Sequence, residues 1–113
     1  MKLKDIIRYV EATVYVCDEL AEEEIISACG ADLMSDVLAF SKERVVLLTG
    51  LVNLQVIRTA EMMEIKAILF VRGKEPTREM KSLAEEKSIL LMSTKYSMYF
   101  SCGILYQKGL GRL

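Results

Sequence analysis

The chain has no histidine, which removes the ordinary imidazole base and, with it, Ser-His-Asp and Cys-His catalytic arrangements. Its three cysteines, Cys17, Cys29 and Cys102, are odd in number and widely spaced, with no CxxC pair. Lacking histidine partners they compose no zinc site, so no metal or cofactor is expected, and free thiols in a reducing cytosol are the simplest reading. A single proline and six glycines leave little room for disorder, which is expected only in the last few residues. No apolar run approaches the ~20 residues that cross a bilayer, and the charged start, Met1 to Arg8, is unlike a secretory signal. A cytoplasmic protein without a membrane partner follows. Fifteen basic and sixteen acidic side chains give a net charge of -1, so no global positive field gathers nucleic acid. Neither GxxxxGK[ST] nor GxGxxG occurs, which disfavours a Mg-bound triphosphate undergoing transfer. The chain is therefore not expected to be an enzyme.

What is present is apolar patterning. Hydrophobic residues make up 52% of 113 positions, enough for one domain spanning 1–113. Lys2 to Tyr9 places Leu3, Ile6 and Ile7 on one helical face. "TVYVC", Thr13 to Cys17, is β-branched and aromatic and predicts a strand. "EIISAC", Glu24 to Cys29, is a second strand candidate, although the acidic residues before it could equally open a helix. Asp32 can cap a helix in which Leu33, Met34, Val37 and Leu38 point inward; Asp32 and Asp36 then read as helix-opening carboxylates that favour the macrodipole. Arg44 to Thr49 and Lys66 to Val71 are apolar enough to be strands covered on both faces. Between them Asn53 caps a helix lined by Val56, Ile57, Ala60 and Met63. Pro76 suits a first helical turn, and Thr77 to Lys87 presents Met80, Leu83 and Ala84 inward. Ser88 to Ser93 is the last strand and Tyr96 to Lys108 the last helix. Strand followed by helix, three times from Arg44 onward, predicts a three-layer α/β/α sandwich with a mostly parallel sheet of about five strands.

In such sheets ligands sit at the carboxyl ends of the strands. The turns there read "TGLVN", "RGKE" and "STK". They offer hydroxyls at Thr49, Ser93 and Thr94, the Asn53 side chain, backbone N–H groups at Gly50 and Gly73, and cations at Arg72, Lys74 and Lys95. This is a candidate anion-binding rim. The same residue types serve any tight turn or helix cap, and both readings stand at this point. Cys29 likewise has two readings, a sensor thiol at a strand end or a small buried hydrophobe.

The last helix, "KYSMYFSCGILYQKG", is apolar most of the way round. Met98, Cys102 and Leu105 mark one face; Tyr96, Tyr99, Phe100, Gly103 and Tyr106 mark another. The second face predicts either an interface, most simply with another copy of the chain across a two-fold axis, or a helix deeply buried in its own monomer.

From Ser35 to Leu110 the phrases "LLTGLVN", "RTAE", "FVRGK" and "LMSTKYSMY", in this order of strands and turns, resemble the DRTGG domain family, and the likeness covers nearly the whole chain. That module accompanies HPr kinase/phosphorylase, some phosphotransacetylases and CBS-containing pyrophosphatases, and also occurs alone. The naming motif departs from the family here: Gly50-Leu51-Val52-Asn53 replaces a Gly-Asp-Arg-like turn, and Arg72-Gly73-Lys74 replaces Thr-Gly-Gly. The glycines are kept, while the charged pair of the first turn is lost, and its role does not carry over to Leu51 to Asn53. The resemblance implies a fold like the amino-terminal domain of the cell-wall ligase class and a non-catalytic, regulatory role. A homodimeric sensor of a nucleotide or phosphorylated metabolite, or an adaptor, is the first expectation. A pure protein–protein interaction module, accessory to a hydrogenase or a PTS-like signalling pathway, is the alternative.

Overall fold

The computed structural model describes residues 1–40 and 43–111. The expected looser order at the C-terminus falls largely on residues 112–113, outside the described residues. The elements are α1 (Leu3–Tyr9), β1 (Thr13–Val16), a 3-10 turn (Asp18–Glu22), β2 (Ser27–Gly30), α2 (Met34–Phe40), β3 (Val45–Thr49), α3 (Leu54–Met62), β4 (Ala67–Phe70), α4 (Arg78–Glu86), β5 (Leu90–Ser93) and α5 (Met98–Gln107). The five strands form one sheet in the order β1-β5-β4-β3-β2. All neighbours are parallel except β1, which runs antiparallel to β5.

This order explains the layers. From β2 to β5 each strand lies beside the previous one, so crossovers of one hand deposit α2, α3 and α4 on a single face. The opposite face is covered by α1 and α5, which flank the wound unit in sequence. Alternation along the buried strands divides the core accordingly. Val45, Leu47, Ile68, Phe70 and Leu91 pack with Met34, Val37, Val56, Ile57, Ala60, Met80 and Ala84. Val46, Leu48, Ala67, Leu69, Leu90 and Met92 pack with Leu3, Ile6 and Leu105. The three-layer α/β/α sandwich with a mostly parallel five-stranded sheet is the fold predicted from the pattern.

Local chemistry sets the helix starts. Asn53 accepts a hydrogen bond from the Val56 N–H (3.3 Å), Thr77 from Met80 (3.2 Å) and Ser97 from Phe100 (3.1 Å), each worth roughly 1 kcal/mol to its helix. Three expectations need correction. Pro76 is buried and precedes the Thr77 cap, so its missing N–H falls outside α4. Leu33 and Leu38 are exposed, because α2 starts at Met34 and turns only Met34 and Val37 inward. Asp32 lies two positions before α2, and its carboxylate is engaged by the turn after β3. No helix among the described residues is long and apolar enough to cross a membrane.

Candidate functional site at the strand ends

Parallel pairing of β2 to β5 brings their carboxyl ends to one edge, where the antiparallel β1 contributes its beginning. The turns after β3, β4 and β5 interlock there. The Val71 N–H donates to the Thr49 carbonyl (3.0 Å), the Arg72 N–H to the Tyr96 carbonyl (2.8 Å) and the Gly73 N–H to the Thr94 carbonyl (2.8 Å). Arg72 and Gly73 both have left-handed backbone angles, φ 59° and 71°. That pair of conformations turns the chain sharply after β4 and carries the Arg72 side chain back over the Thr49–Gly50 turn.

Asp32, on the segment leaving β2, completes this corner. One carboxylate oxygen accepts from the Thr49 hydroxyl (3.1 Å) and the Gly50 N–H (2.7 Å); the other stands 3.8 Å from Nη2 of Arg72. The Thr49 hydroxyl in turn accepts from the Leu51 N–H (3.1 Å). Thr49 is fully buried, whereas the Asp32 and Arg72 side chains are each about half exposed, at 54% and 53%. Hydroxyl, backbone N–H and guanidinium therefore converge on a carboxylate that belongs to the chain.

The remaining rim residues divide by accessibility. The buried Thr94 hydroxyl donates to the Val10 carbonyl (2.7 Å) and accepts from the Tyr96 N–H (3.2 Å), tying the end of β5 to the end of α1. Ser93 shares a 2.9 Å hydrogen bond with the Tyr15 hydroxyl, which also contacts Glu75 at 3.1 Å. The Asn53 side-chain oxygen is engaged by its helix cap, and the Gly73 N–H by the Thr94 carbonyl. Lys74 and Lys95 are exposed and form no ion pair among the described residues.

Next to Lys95 opens a cavity of about 460 Å³, walled by Glu11, Tyr15, Gly73, Glu75, Ser93 and Tyr96 among others. The Tyr96 hydroxyl donates to Glu11, and stabilisation of the protonated phenol by that carboxylate raises its pKa above the ordinary tyrosine value. Of these wall residues, Glu11, Tyr15, Glu75 and Tyr96 lie outside the sequence-based rim, Tyr96 being expected on the interface face of the last helix. Tyr15 and Glu11 come from the first strand and the segment before it, whose antiparallel pairing with β5 is not visible in any local pattern. Asp32 was readable as a residue just past a parallel strand, but a carboxylate ahead of a helix is also what a cap looks like.

A second concavity, about 650 Å³, lies between α5 and the edge strand β2, lined by Ala28, Gly30, Tyr99, Phe100, Gly103 and Tyr106 among others. The inward face of α5 is as expected: Leu105 is buried, and Met98 and Cys102 pack against the core. Tyr99 (88% exposed), Phe100 and Tyr106 face outward, which removes the reading of α5 as a helix buried on all sides. Tyr96 differs from these three. It precedes the helix, packs against the core and meets Phe100 edge to face with ring centres 4.8 Å apart.

No protein-family model and no curated protein matches the chain. Among solved structures, the chain is similar to the CBS and DRTGG domains of the regulatory region of a Clostridium perfringens pyrophosphatase, determined with its activator diadenosine tetraphosphate. The TM-score is 0.74 and the sequence identity 14%, over 97% of this chain and 48% of that one. This chain thus spans about half the length of the pyrophosphatase region. At this identity the likeness is one of fold, and the three-layer sandwich described above is DRTGG-like in its architecture.

Proposed function

We propose that the chain is a non-catalytic regulatory module that binds a small phosphorylated ligand, a nucleotide or a phosphorylated metabolite, at the strand-end rim and self-associates through the outer face of α5. The observation that carries the ligand reading is the placement of Arg72, Lys74 and Lys95 on interlocked turns at the carboxyl edge of the sheet, two of them with no acidic partner among the described residues. Phosphate groups belong at these cations, while the Tyr15 and Tyr96 side of the cavity suits an uncharged base or sugar. The pyrophosphatase region of similar fold has a nucleotide activator, which supports the same class of ligand.

Self-association is supported by the chemistry of α5. The helix "MYFSCGILYQ" carries no charged side chain. Across a two-fold axis a charge near the axis meets its own copy, so a neutral face is what such an interface tolerates. The same surface presents both knobs, Tyr99 and Tyr106, and holes, at Ala28, Gly30 and Gly103. A second reading, a protein-interaction module without a small ligand, draws on this aromatic face alone.

A thermal-shift screen with adenine and guanine nucleotides, diadenosine tetraphosphate, acetyl phosphate and common sugar phosphates tests the ligand reading. A native-state ligand at 100 times its Kd stabilises by about 2.7 kcal/mol. The expected result is a saturable rise for one compound, abolished by Arg72→Ala/Lys74→Ala with the fold intact. A double variant that binds the same compound unchanged overturns the rim assignment, and no shift with any compound favours the interaction module.

A further inference from the structure

We propose that Asp32 is an internal occupant of an oxyanion subsite, and that the ligand's phosphate replaces its carboxylate on the Thr49 hydroxyl, the Gly50 N–H and the Arg72 guanidinium. This inference rests on the rim reading given above and adds to it a closed and an open state.

Three observations carry it. First, the donor set is complete for a tetrahedral oxyanion: one hydroxyl, one backbone N–H and one guanidinium, all directed at the two oxygens of Asp32. Second, the corner is shaped to receive the guanidinium. Gly50 does not have a left-handed backbone angle, so its turn does not demand glycine for conformational reasons. What glycine supplies is space, because a β-carbon there would collide with the Arg72 guanidinium, which approaches over the bare Cα. Third, the contact that closes the site is its weakest one. Arg72 and Asp32 are 3.8 Å apart and half exposed, at the outer limit of an ion pair, while the N–H bond behind them is short at 2.7 Å. A phosphate that reaches the guanidinium with two oxygens outcompetes such a pair.

The leash on Asp32 is short. It follows β2 directly, where the Ala31 N–H is held by the Leu48 carbonyl (3.0 Å), and Gly30 on that strand lines the apolar concavity beside α5. The carboxylate therefore leaves the corner by side-chain rotation, while the backbone behind it stays held to β3.

The test is titration of the folded protein with inorganic pyrophosphate, followed by calorimetry and amide resonances. If the closed state holds the site shut nine-tenths of the time, removing the gate tightens apparent binding about tenfold. The expected outcome is that tightening for Asp32→Asn, a change below about twofold for Asp36→Asn, which removes the same charge from the neighbouring helix, and loss of binding in Asp32→Asn/Arg72→Ala. In the unmodified protein the Gly50 amide resonance shifts saturably, a readout that requires no variant to fold. If Asp36→Asn tightens binding as much as Asp32→Asn, only the general field has changed and the gate is overturned. If Asp32→Asn binds no more tightly than an unmodified protein whose binding depends on Arg72, the gate is overturned and the rim stands. If pyrophosphate binds neither protein, both fail for this ligand class.

Discussion

The guanidinium carbon of Arg72 lies 3.0 Å from the point where a β-carbon on Gly50 would stand. Gly50→Ala therefore evicts the guanidinium and little else, since the obstructing group is the mobile end of a long side chain and the backbone angle of residue 50 is compatible with alanine. Urea unfolding should change by no more than about 1 kcal/mol, with a small gain from a stiffer unfolded chain available. Any phosphate-dependent stabilisation should fall in the same variant. A large loss of stability would mean that the glycine serves the turn itself.

Thr94→Val probes a different kind of rim residue. Its hydroxyl is buried and bridges the Val10 carbonyl and the Tyr96 N–H, so a valine of the same shape leaves one acceptor and one donor to find other partners. Each buried group left unsatisfied costs roughly 1–3 kcal/mol, and a loss of about 2 kcal/mol or more is expected in chemical denaturation. An unchanged midpoint would show that water replaces the hydroxyl there.

Tyr99→Glu separates assembly from folding. The ring is almost fully exposed, so stability should stay within about 0.5 kcal/mol of the parent. Two added carboxylates facing each other across a two-fold axis should dissociate the assembly, which light scattering reads as a fall to the monomer mass. A parent that is already monomeric at high concentration, or a variant of unchanged mass, removes the α5 interface.

The cysteines should behave as inert hydrophobes. Burial pushes the thiols of Cys17, Cys29 and Cys102 above the usual thiol pKa, with nearby carboxylates adding to the effect at Cys17 and Cys29. A raised pKa leaves less reactive thiolate at a given pH, so maleimide labelling at neutral pH should run slower than for a free thiol and accelerate only well into the alkaline range. Rapid labelling of Cys29 at pH 7 would restore the sensor reading for that residue.

How much of this was legible in the sequence varies with the range of the interaction. Val45 to Leu48 and Ala67 to Phe70 are continuous apolar runs, and burial on both faces is what that pattern means. Asn53 announces its helix because a cap acts within three residues, whereas the sequence pattern places Thr77 and Ser97 inside the helices that they cap. Helix ends were harder to read. Glu11, Glu64 and Ser88 take left-handed angles just past α1, α3 and α4, where glycine is the usual signal, so composition gave no sign of them. The candidate site was half legible: strand–helix alternation gathers the three turns, but which hydroxyls turn inward depends on partners such as Val10 and Tyr15 that are remote in sequence. Asp32 was visible as a residue and misread as a cap, because its actual partners belong to the next strand's turn.

The place of β1 also bears on how the molecule is made. Thr13 pairs with Ser93, and Val10 receives its hydrogen bond from Thr94, 84 positions later. While the chain is being synthesised, β2, β3 and β4 can meet their neighbours almost as soon as each emerges, but β1 has to wait for β5. Until then α1 and β1 expose apolar side chains to whatever binds nascent polypeptides, and the β1–β5 pairing closes the sheet as a late, long-range step.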